Sequence, residues 1–280
     1  MGSVLFIVWR ESIEAVLVIG ILYAYLLRLG ATRRGFAYLW VGVTAGIGVS
    51  VLLALATLGI QSELRGQQLQ YFQTSMLFIA AVLMTQMVLW MNKHGRTLKR
   101  TLEADMNRAI SSGRLIGVAL IALLAVAREG SETVLYVYSL GLERAGGMSS
   151  MLAMAALGFL LALATAWGVS KGARFLSYKI FFRITTVILL FSAAGLLVSG
   201  MSNLIGMGLL PSIVQPVWNT SAVLNSGSRI GGVVSALTGY RSQPSLMLVI
   251  AYLLYWSVTI GWILSRRQVR SVEAISKVAA

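Results

Sequence analysis

The amino-acid sequence predicts an all-α polytopic membrane protein with seven transmembrane helices, its N-terminus outside the cell and its C-terminus in the cytoplasm. Of its 280 residues, 58% are hydrophobic and 11% are charged, and the mean hydropathy is +0.81. This composition excludes an ordinary soluble domain and indicates a chain that lies in a lipid bilayer. The formal net charge of +14 would suggest nucleic acid as partner in a soluble chain. Here the basic residues gather between apolar runs, so no nucleic-acid partner is expected.

Seven apolar runs are long enough to cross about 30 Å of hydrocarbon at ~1.5 Å per residue. The predicted spans are residues 3–27, 36–60, 71–91, 115–140, 148–169, 184–205 and 246–264. The first run is too long for the core of a signal peptide and has no small-residue cleavage site. We therefore expect it to stay as a membrane helix of the mature protein.

Loop charges orient these helices. The first, third and fifth connections and the C-terminal tail are basic, which places them in the cytoplasm. Their basic residues are Arg28, Arg33 and Arg34; Lys93, Arg96, Lys99, Arg100, Arg108 and Arg114; Lys171, Arg174, Lys179 and Arg183; and Arg266, Arg267, Arg270 and Lys277. The third connection also holds Glu103 and Asp105, a mixture typical of a surface amphipathic helix. Trp40, Trp90 and Trp167 then fall near inner helix ends, as in an interfacial aromatic belt.

The first six helices divide into two sets of three with opposite orientation. Within one transmembrane domain we predict a first three-helix repeat at 1–91, a second repeat at 115–205, an extracytoplasmic loop or cap at 206–244, a seventh helix at 245–265 and a cytoplasmic tail at 266–280. The cap is too polar and too often interrupted by Gly and Pro to span, and a short helix is expected around residues 228–237.

Three sequence patterns bear on how the helices pack. The hexamer LLALAT occurs at residues 52–57 and again at 160–165, in the second helix of each set, which supports an inverted repeat. In the second helix, Gly42 and Gly46 form a G-x-x-x-G spacing that predicts a close-packing seam. Three methionines, at positions 84, 87 and 91, line one side of the third helix, where packing is their usual role.

Two charged stretches interrupt the first and fourth helices. Residues 10–14 and residues 128–132 both read R-E-x-x-E. Each ionised group at a helix centre costs about 2.5–3.5 kcal/mol if it faces lipid alone, so these groups must pair or face a bundle interior or wet cavity. The predicted topology puts both motifs at one depth on antiparallel helices. They can therefore form a single site.

Each motif places its arginine and its two glutamates on one helix face, within about a 100° arc. The groups are Arg10, Glu11 and Glu14 in the first motif and Arg128, Glu129 and Glu132 in the second. Together the carboxylates outnumber the guanidiniums by two, which favours a multivalent cation and disfavours an anionic substrate. Hard oxygen ligands, in a chain without cysteine, suit Mg, Ca, Mn or iron in either oxidation state better than Cu(I) or Zn.

Four further side chains are candidate accessory groups. Ser12 and Ser131 could add hydroxyl oxygens, although a serine in a membrane helix more often bonds its own backbone. Tyr136 lies on the same face as Glu129 and could hydrogen-bond a carboxylate or simply pack. Gln86, in the third helix, could donate to a ligand.

The motif in the first and fourth of seven helices resembles the iron permease family, the oxidase-dependent high-affinity transporters that include fungal iron permeases and bacterial iron-uptake permeases. The resemblance covers nearly the whole chain through topology, spacing and both motifs. It implies that the four glutamates ligate iron along the translocation path, with Arg10 and Arg128 as motif partners. It also implies an extracytoplasmic partner, a multicopper oxidase or a cupredoxin-type protein.

The sequence departs from the family wording R-E-G-L-E at three positions. Ser12 and Ile13 replace Gly-Leu in the first copy, and Ser131 replaces Leu in the second. Fungal members also have an acidic pair in an outer loop, whereas here only the isolated Glu63 and Glu143 occur in outer connections.

We therefore predict an iron permease of the cytoplasmic membrane that moves iron into the cell by alternating access around the paired glutamates. Iron is its substrate, and no permanently bound cofactor is expected. Enzyme activity is not expected, since no nucleophile, histidine base or cofactor fingerprint accompanies the acids. Two alternatives remain at this stage. The same carboxylates could serve another divalent ion, such as Mn or Pb, or a proton-coupled carrier; or the ion pairs could only fix helix packing in a structural subunit that anchors a partner.

Overall fold

The computed structural model describes residues 2–94, 97–111, 115–142, 148–170 and 178–278. Within these ranges the chain forms nine α-helices and no strand. The helices are α1 (Gly2–Arg28), α2 (Arg33–Glu63), α3 (Gly66–His94), α4 (Leu98–Ser111), α5 (Leu115–Leu142), α6 (Met148–Ser170), α7 (Tyr178–Gly206), α8 (Arg229–Thr238) and α9 (Leu246–Val278). The loop residues Arg96, Arg114, Glu143, Lys171 and Arg174 lie outside the described ranges.

Every predicted span lies within one of these helices. Five described stretches are long and apolar enough to cross a membrane by length and composition: Arg33–Glu63, Gly66–Met91, Ser149–Gly168, Thr185–Gly206 and Leu246–Ser265. The helices α1 and α5 are of matching length, 27 and 28 residues, but each is interrupted by three charged residues. The architecture is that of a polytopic membrane protein, while the count of seven spans and their orientation stay predictions.

The two helices expected outside the spans are present. The amphipathic α4 confirms the prediction made from Glu103 and Asp105. The short α8 begins after Ser228, whose hydroxyl accepts a hydrogen bond from the Gly231 amide at 3.0 Å, as an N-cap does. The last helix, α9, continues to Val278, so the predicted cytoplasmic tail extends this helix.

The chain forms two compact units, residues 1–189 and residues 190–280. In the first unit α2 lies along α5, α1 lies along α6, and α1 also contacts α5. Residues late in α1, such as Leu22 and Leu26, share a buried cluster with Val118 and Ala122 from the start of α5. The two helices that carry the motifs therefore run antiparallel.

Glycines allow the helix pairs of the first unit to approach closely. A Cβ atom added to Gly46 of α2 would lie 2.8 Å from Val126 Cβ and 2.9 Å from the Leu123 carbonyl oxygen of α5. One turn earlier, a Cβ on Gly42 would overlap the backbone of Ala119. These contacts confirm the predicted close-packing seam, which joins α2 to α5.

The contact between α1 and α6 repeats this geometry. A Cβ added to Gly158 of α6 would lie 2.6 Å from the Leu5 carbonyl oxygen and 3.1 Å from the Trp9 amide nitrogen. When the two motifs are superposed, Leu5 corresponds to Leu123, so Gly158 contacts α1 as Gly46 contacts α5. Gly46 and Gly158 are 112 residues apart, whereas the two LLALAT hexamers are 108 residues apart. The two correspondences thus differ by four residues, about one helical turn.

A buried apolar cluster fills the space between α1, α2 and α5 at the end where α1 finishes and α5 begins. Its side chains are Val18, Leu22, Leu26, Leu39, Val43, Met106, Val118, Ala122 and Val126. Met106 comes from α4 and is fully buried, so the amphipathic helix packs its apolar face on this end of the bundle. The cluster covers one side of the charged motifs.

The second unit contains the ordered connection between α7 and α9. The Val217 amide donates to the Pro244 carbonyl and the Thr220 amide donates to the Ser242 carbonyl, each at 2.9 Å. Arg241 donates from Nη2 to the Ser199 hydroxyl of α7, also at 2.9 Å. These bonds hold the residues on either side of α8 together.

Candidate metal centre

The first motif forms a compact ion pair group within α1. Arg10 Nη1 lies 2.6 Å from Glu11 Oε1, and Arg10 Nη2 pairs with Glu14 Oε1 one turn further along the helix. All three side chains are buried, with residue exposures of 3%, 1% and 6%. Burial of such charges is tolerated because each finds an opposite charge.

The second motif is arranged differently, although its sequence pattern is the same. Arg128 Nε lies 3.2 Å from Glu132 Oε1 and 3.9 Å from Glu129 Oε1. Its side chain is 41% exposed, against 3% for that of Arg10. Both glutamates are nevertheless buried. The second arginine is thus held less tightly than the first.

The antiparallel packing of α1 and α5 brings acids of both motifs together. Glu11, Glu14 and Glu129 each offer one carboxylate oxygen, and these three oxygens all lie within 4.8 Å of one another. The second oxygens of Glu11 and Glu129 are buried and have no hydrogen-bond donor among the residues that the structure describes. Buried carboxylate oxygens without donors are costly unless a cation contacts them.

The fourth glutamate lies at the edge of this cluster. Glu132 Oε1 accepts from Arg128 Nε, and Glu132 Oε2 accepts a hydrogen bond from the Tyr136 hydroxyl at 3.2 Å. Tyr136 is fully buried one turn further along α5. Both oxygens of Glu132 are therefore engaged, unlike those of the other three acids.

The remaining candidate accessory groups differ in their surroundings. The Ser131 hydroxyl donates to the Arg128 carbonyl at 2.8 Å, so its hydrogen serves its own helix. Ser12 is half-buried, and Gln86 is exposed on α3. Gly130 allows α2 to approach the motif, because a Cβ there would overlap the Ser50 side chain.

Two side chains of α3 contact the motif arginines. Met87 Sδ accepts a hydrogen bond from Arg10 Nη1 at 2.9 Å, and the Trp90 ring lies under the Arg128 guanidinium, with Cζ 4.5 Å from the ring centroid. From the sequence we expect Met87 to pack against a neighbouring helix and Trp90 to lie in an interfacial aromatic belt. Met87 and Trp90 are three residues apart, which puts both on one face of α3. This spacing is the one feature of the sequence that could have indicated their shared role.

The cluster has the chemistry of a site for a hard cation. Three carboxylates face one another and only Arg10 is fully buried among them, so negative charge exceeds positive charge in the cluster. Oxygen ligands of this kind bind Mg, Ca, Mn and iron, and Arg10 fixes two of the acids in place by its ion pairs.

Comparison with known proteins also indicates similarity to transporters of a metal cation. A sequence model described as the Iron permease FTR1 family matches residues 1–271. The ferrous iron permease EfeU of Escherichia coli O6:H1 is 31% identical over 259 residues, which cover 89% of this chain and 90% of that protein. The ferrous iron permease EfeU of Yersinia pestis is 29% identical over 253 residues, which cover 89% of this chain and 88% of that protein. No solved structure matches the chain.

Proposed function

The chain belongs to the iron permease family, and we propose that it moves iron across the cytoplasmic membrane into the cell through the carboxylate cluster of α1 and α5. It is a multi-pass membrane protein, and iron is its substrate rather than a resident cofactor. The ligands in this proposal are Glu11, Glu14 and Glu129, with Glu132 at the edge of the same site. Arg10 and Arg128 are the charge partners of these acids.

One observation carries the proposal: three buried carboxylates from two helices converge, and two of their oxygens have no donor in the described part of the chain. In a membrane helix, an uncompensated charge is expensive, so a structural role alone would favour complete pairing. Oxygens left without donors are those that a passing cation can contact. Arginine pairing keeps the acids in place between successive ions.

The charge of the cluster favours Fe(II) as the transported ion. Since negative charges in the cluster exceed positive ones by two, a divalent cation neutralises it, whereas a trivalent one leaves an excess positive charge in a buried site. The relatives are named ferrous iron permeases, which supports the same ion. The extracytoplasmic oxidase or cupredoxin-type partner stays a prediction of the family resemblance.

The packing of the first unit supports an inverted repeat and alternating access. The contacts of Gly46 and Gly158 relate α2 and α5 to α6 and α1, as an internal twofold would. The apolar cluster around Met106 covers the side that the loop charges predict to be cytoplasmic. In this state the apolar cluster closes the path from the carboxylates to the cytoplasm. Release of iron then requires α4 and the cytoplasmic ends of α1 and α5 to separate.

Uptake of Fe(II) by vesicles that contain the purified protein tests the proposal. Glu11→Gln and Glu129→Gln each remove one negative ligand while keeping side-chain shape, so we expect uptake to fall about tenfold or more, since each 1.4 kcal/mol of lost binding is a factor of ten. Glu63→Gln is the matched control, because Glu63 is exposed at the end of α2.

Thermal unfolding of each variant in detergent separates loss of function from loss of fold. We expect the three variants to remain folded and the Glu63→Gln protein to transport iron as the wild type does. Normal uptake in both Glu11→Gln and Glu129→Gln would overturn the proposed site.

A further inference from the structure

The two motif arginines are unequal, and α3 supplies a different partner to each. Arg10 is enclosed by Glu11, Glu14 and Met87 Sδ, so every described contact holds it in place. Arg128 has one hydrogen bond to Glu132, a longer ion pair with Glu129 Oε1 at 3.9 Å, and a face-on contact with Trp90. Arg10 is a fixed part of the carboxylate cluster. Arg128, in contrast, can stay over the Trp90 ring when Glu132 moves away from it.

Glu132 is the acid that Arg128 keeps away from the cluster. Its Oε1 accepts from Arg128 and its Oε2 from Tyr136, while oxygens of the other three acids lie within 4.8 Å of one another. A cation bound by those three attracts the fourth carboxylate, since Glu132 is a buried negative charge three residues from Glu129 on the same helix face. If Glu132 turns to the cation, Arg128 loses its hydrogen-bonded partner.

Without Glu132, Arg128 keeps only the longer ion pair with Glu129, a carboxylate that the cation also contacts. The guanidinium then needs another stabilising group in surroundings of low polarity. Among aromatic side chains, the face of a tryptophan ring attracts a cation most strongly. The Arg128 Cζ already lies 4.5 Å from the centroid of the Trp90 ring. The contact between Arg128 and Trp90 needs no carboxylate, so it can persist both when Glu132 pairs with Arg128 and when Glu132 has turned to the cation. The contact stabilises Arg128 more in the second, cation-bound state. A group that stabilises one state more than the other shifts the equilibrium toward that state.

We propose that Trp90 is a positioning residue that holds Arg128 beside the carboxylate cluster, so that Glu132 is released to complete the iron site. The inference rests on the proposed function and adds a role for α3, a helix that carries neither motif. In it the second motif is the adjustable half of the site and the first motif is the fixed half.

The experiment measures the KM of Fe(II) uptake in vesicles and the Kd of Fe(II) for the purified protein without oxygen. In Trp90→Leu the aromatic face is lost, and we expect KM and Kd to rise by roughly threefold to thirtyfold, with a smaller change in kcat. Trp90→Phe keeps an aromatic face and should restore most of the affinity. Trp40→Leu is the matched control, because Trp40 is exposed on α2, and it should leave both constants unchanged.

A double-mutant cycle with Glu132→Gln separates positioning from packing. If Trp90 acts by freeing Glu132, then Trp90→Leu should raise Kd much less in the Glu132→Gln background than in the wild type. Equal effects in the two backgrounds, or a Trp90→Leu protein with unchanged Kd, would overturn the inference. If the leucine variant does not fold, Trp90→Met, which fills similar space without a ring, takes its place in the same cycle.

The outcome also separates this inference from the proposed function. Wild-type protein that neither binds nor transports Fe(II) would overturn both. Wild-type uptake that is lost in Glu11→Gln but unchanged in Trp90→Leu would overturn only the role of Trp90.

Discussion

At the scale of single residues, two identical sequence motifs have different environments. The pattern R-E-x-x-E puts one arginine and two acids on a helix face in both copies, but exposure of the arginine side chain is 3% in one and 41% in the other. The partners from α3 differ as well, since this helix presents a thioether to Arg10 and an aromatic ring to Arg128. Sequence symmetry in the motifs thus does not require symmetry in their roles.

Tyr136→Phe tests whether the tyrosine hydroxyl orients Glu132 or ligates the ion. Removal of the hydroxyl leaves Glu132 Oε2 without its buried donor, which should lower the free energy of unfolding by about 1–3 kcal/mol. Because Glu132 is then easier to withdraw, Fe(II) affinity should not fall. The measurements are thermal unfolding and Fe(II) titration of the purified protein.

Tyr138→Phe is the matched control, since the buried Tyr138 hydroxyl has no hydrogen-bond partner within the ranges that the structure describes. We expect this variant to be as stable as the wild type or slightly more stable. A several-fold loss of Fe(II) affinity in Tyr136→Phe would instead make the hydroxyl an iron ligand.

At the scale of helices, the site depends on close approach of α2 to α5 and of α6 to α1. Gly46 and Gly158 sit against backbone atoms of the partner helix, where a methyl group has no space. Small residues at such contacts are what allow membrane helices to associate, because lipid chains are as apolar as the side chains. The contacts lie next to the motifs, at Val126 and Trp9. Helix spacing and motif geometry are therefore linked.

Gly46→Ala should push α2 away from α5 and lower the free energy of unfolding by about 1–3 kcal/mol, since overpacking of a tight contact has this cost. Gly48→Ala, two residues further along α2, adds a methyl group where no atom lies within 4 Å. We expect this control to be neutral or slightly stabilising, because alanine favours helix by about 1 kcal/mol over glycine. Denaturant unfolding in detergent compares them, and equal stability of the two variants would contradict the packing argument.

The sequence predicts the helices and the meeting of the two motifs because both follow from large energies. Long apolar runs must be helical in lipid, and charged groups within them must find partners. The contacts of α3 were not predictable, since methionine and tryptophan at helical spacing pack equally well on many neighbours. The two LLALAT hexamers stand one turn out of step with the matched glycines, and their first leucines, Leu52 and Leu160, are 66% and 59% exposed. Exposed side chains carry little information on which residues of two helices pack together.

At the scale of the whole molecule, the loop charges predict which side of the membrane each helix end faces. The chain has no cysteine, so a single introduced cysteine gives an unambiguous label. Ser62 lies in the last turn of α2 on the predicted outer side, and Ser111 is the last residue of α4 on the predicted cytoplasmic side; both are exposed.

Ser62→Cys should react with a membrane-impermeant maleimide in intact cells, and Ser111→Cys only after the membrane is permeabilised. The wild type should not react in either condition. The reverse pattern would invert the topology and place the apolar cluster of α4 on the outer side of the motifs.

The burial of Arg10 also has a consequence for the biosynthesis of the chain. Its described acceptors, Glu11, Glu14 and Met87, all belong to α1 and α3. Synthesis proceeds from the N-terminus, so this guanidinium can be neutralised in the bilayer before α5 leaves the ribosome. Arg128 finds its ring on α3, which is already inserted when the second motif arrives. The order of the helices along the chain thus lets each arginine meet its partners as it enters the membrane.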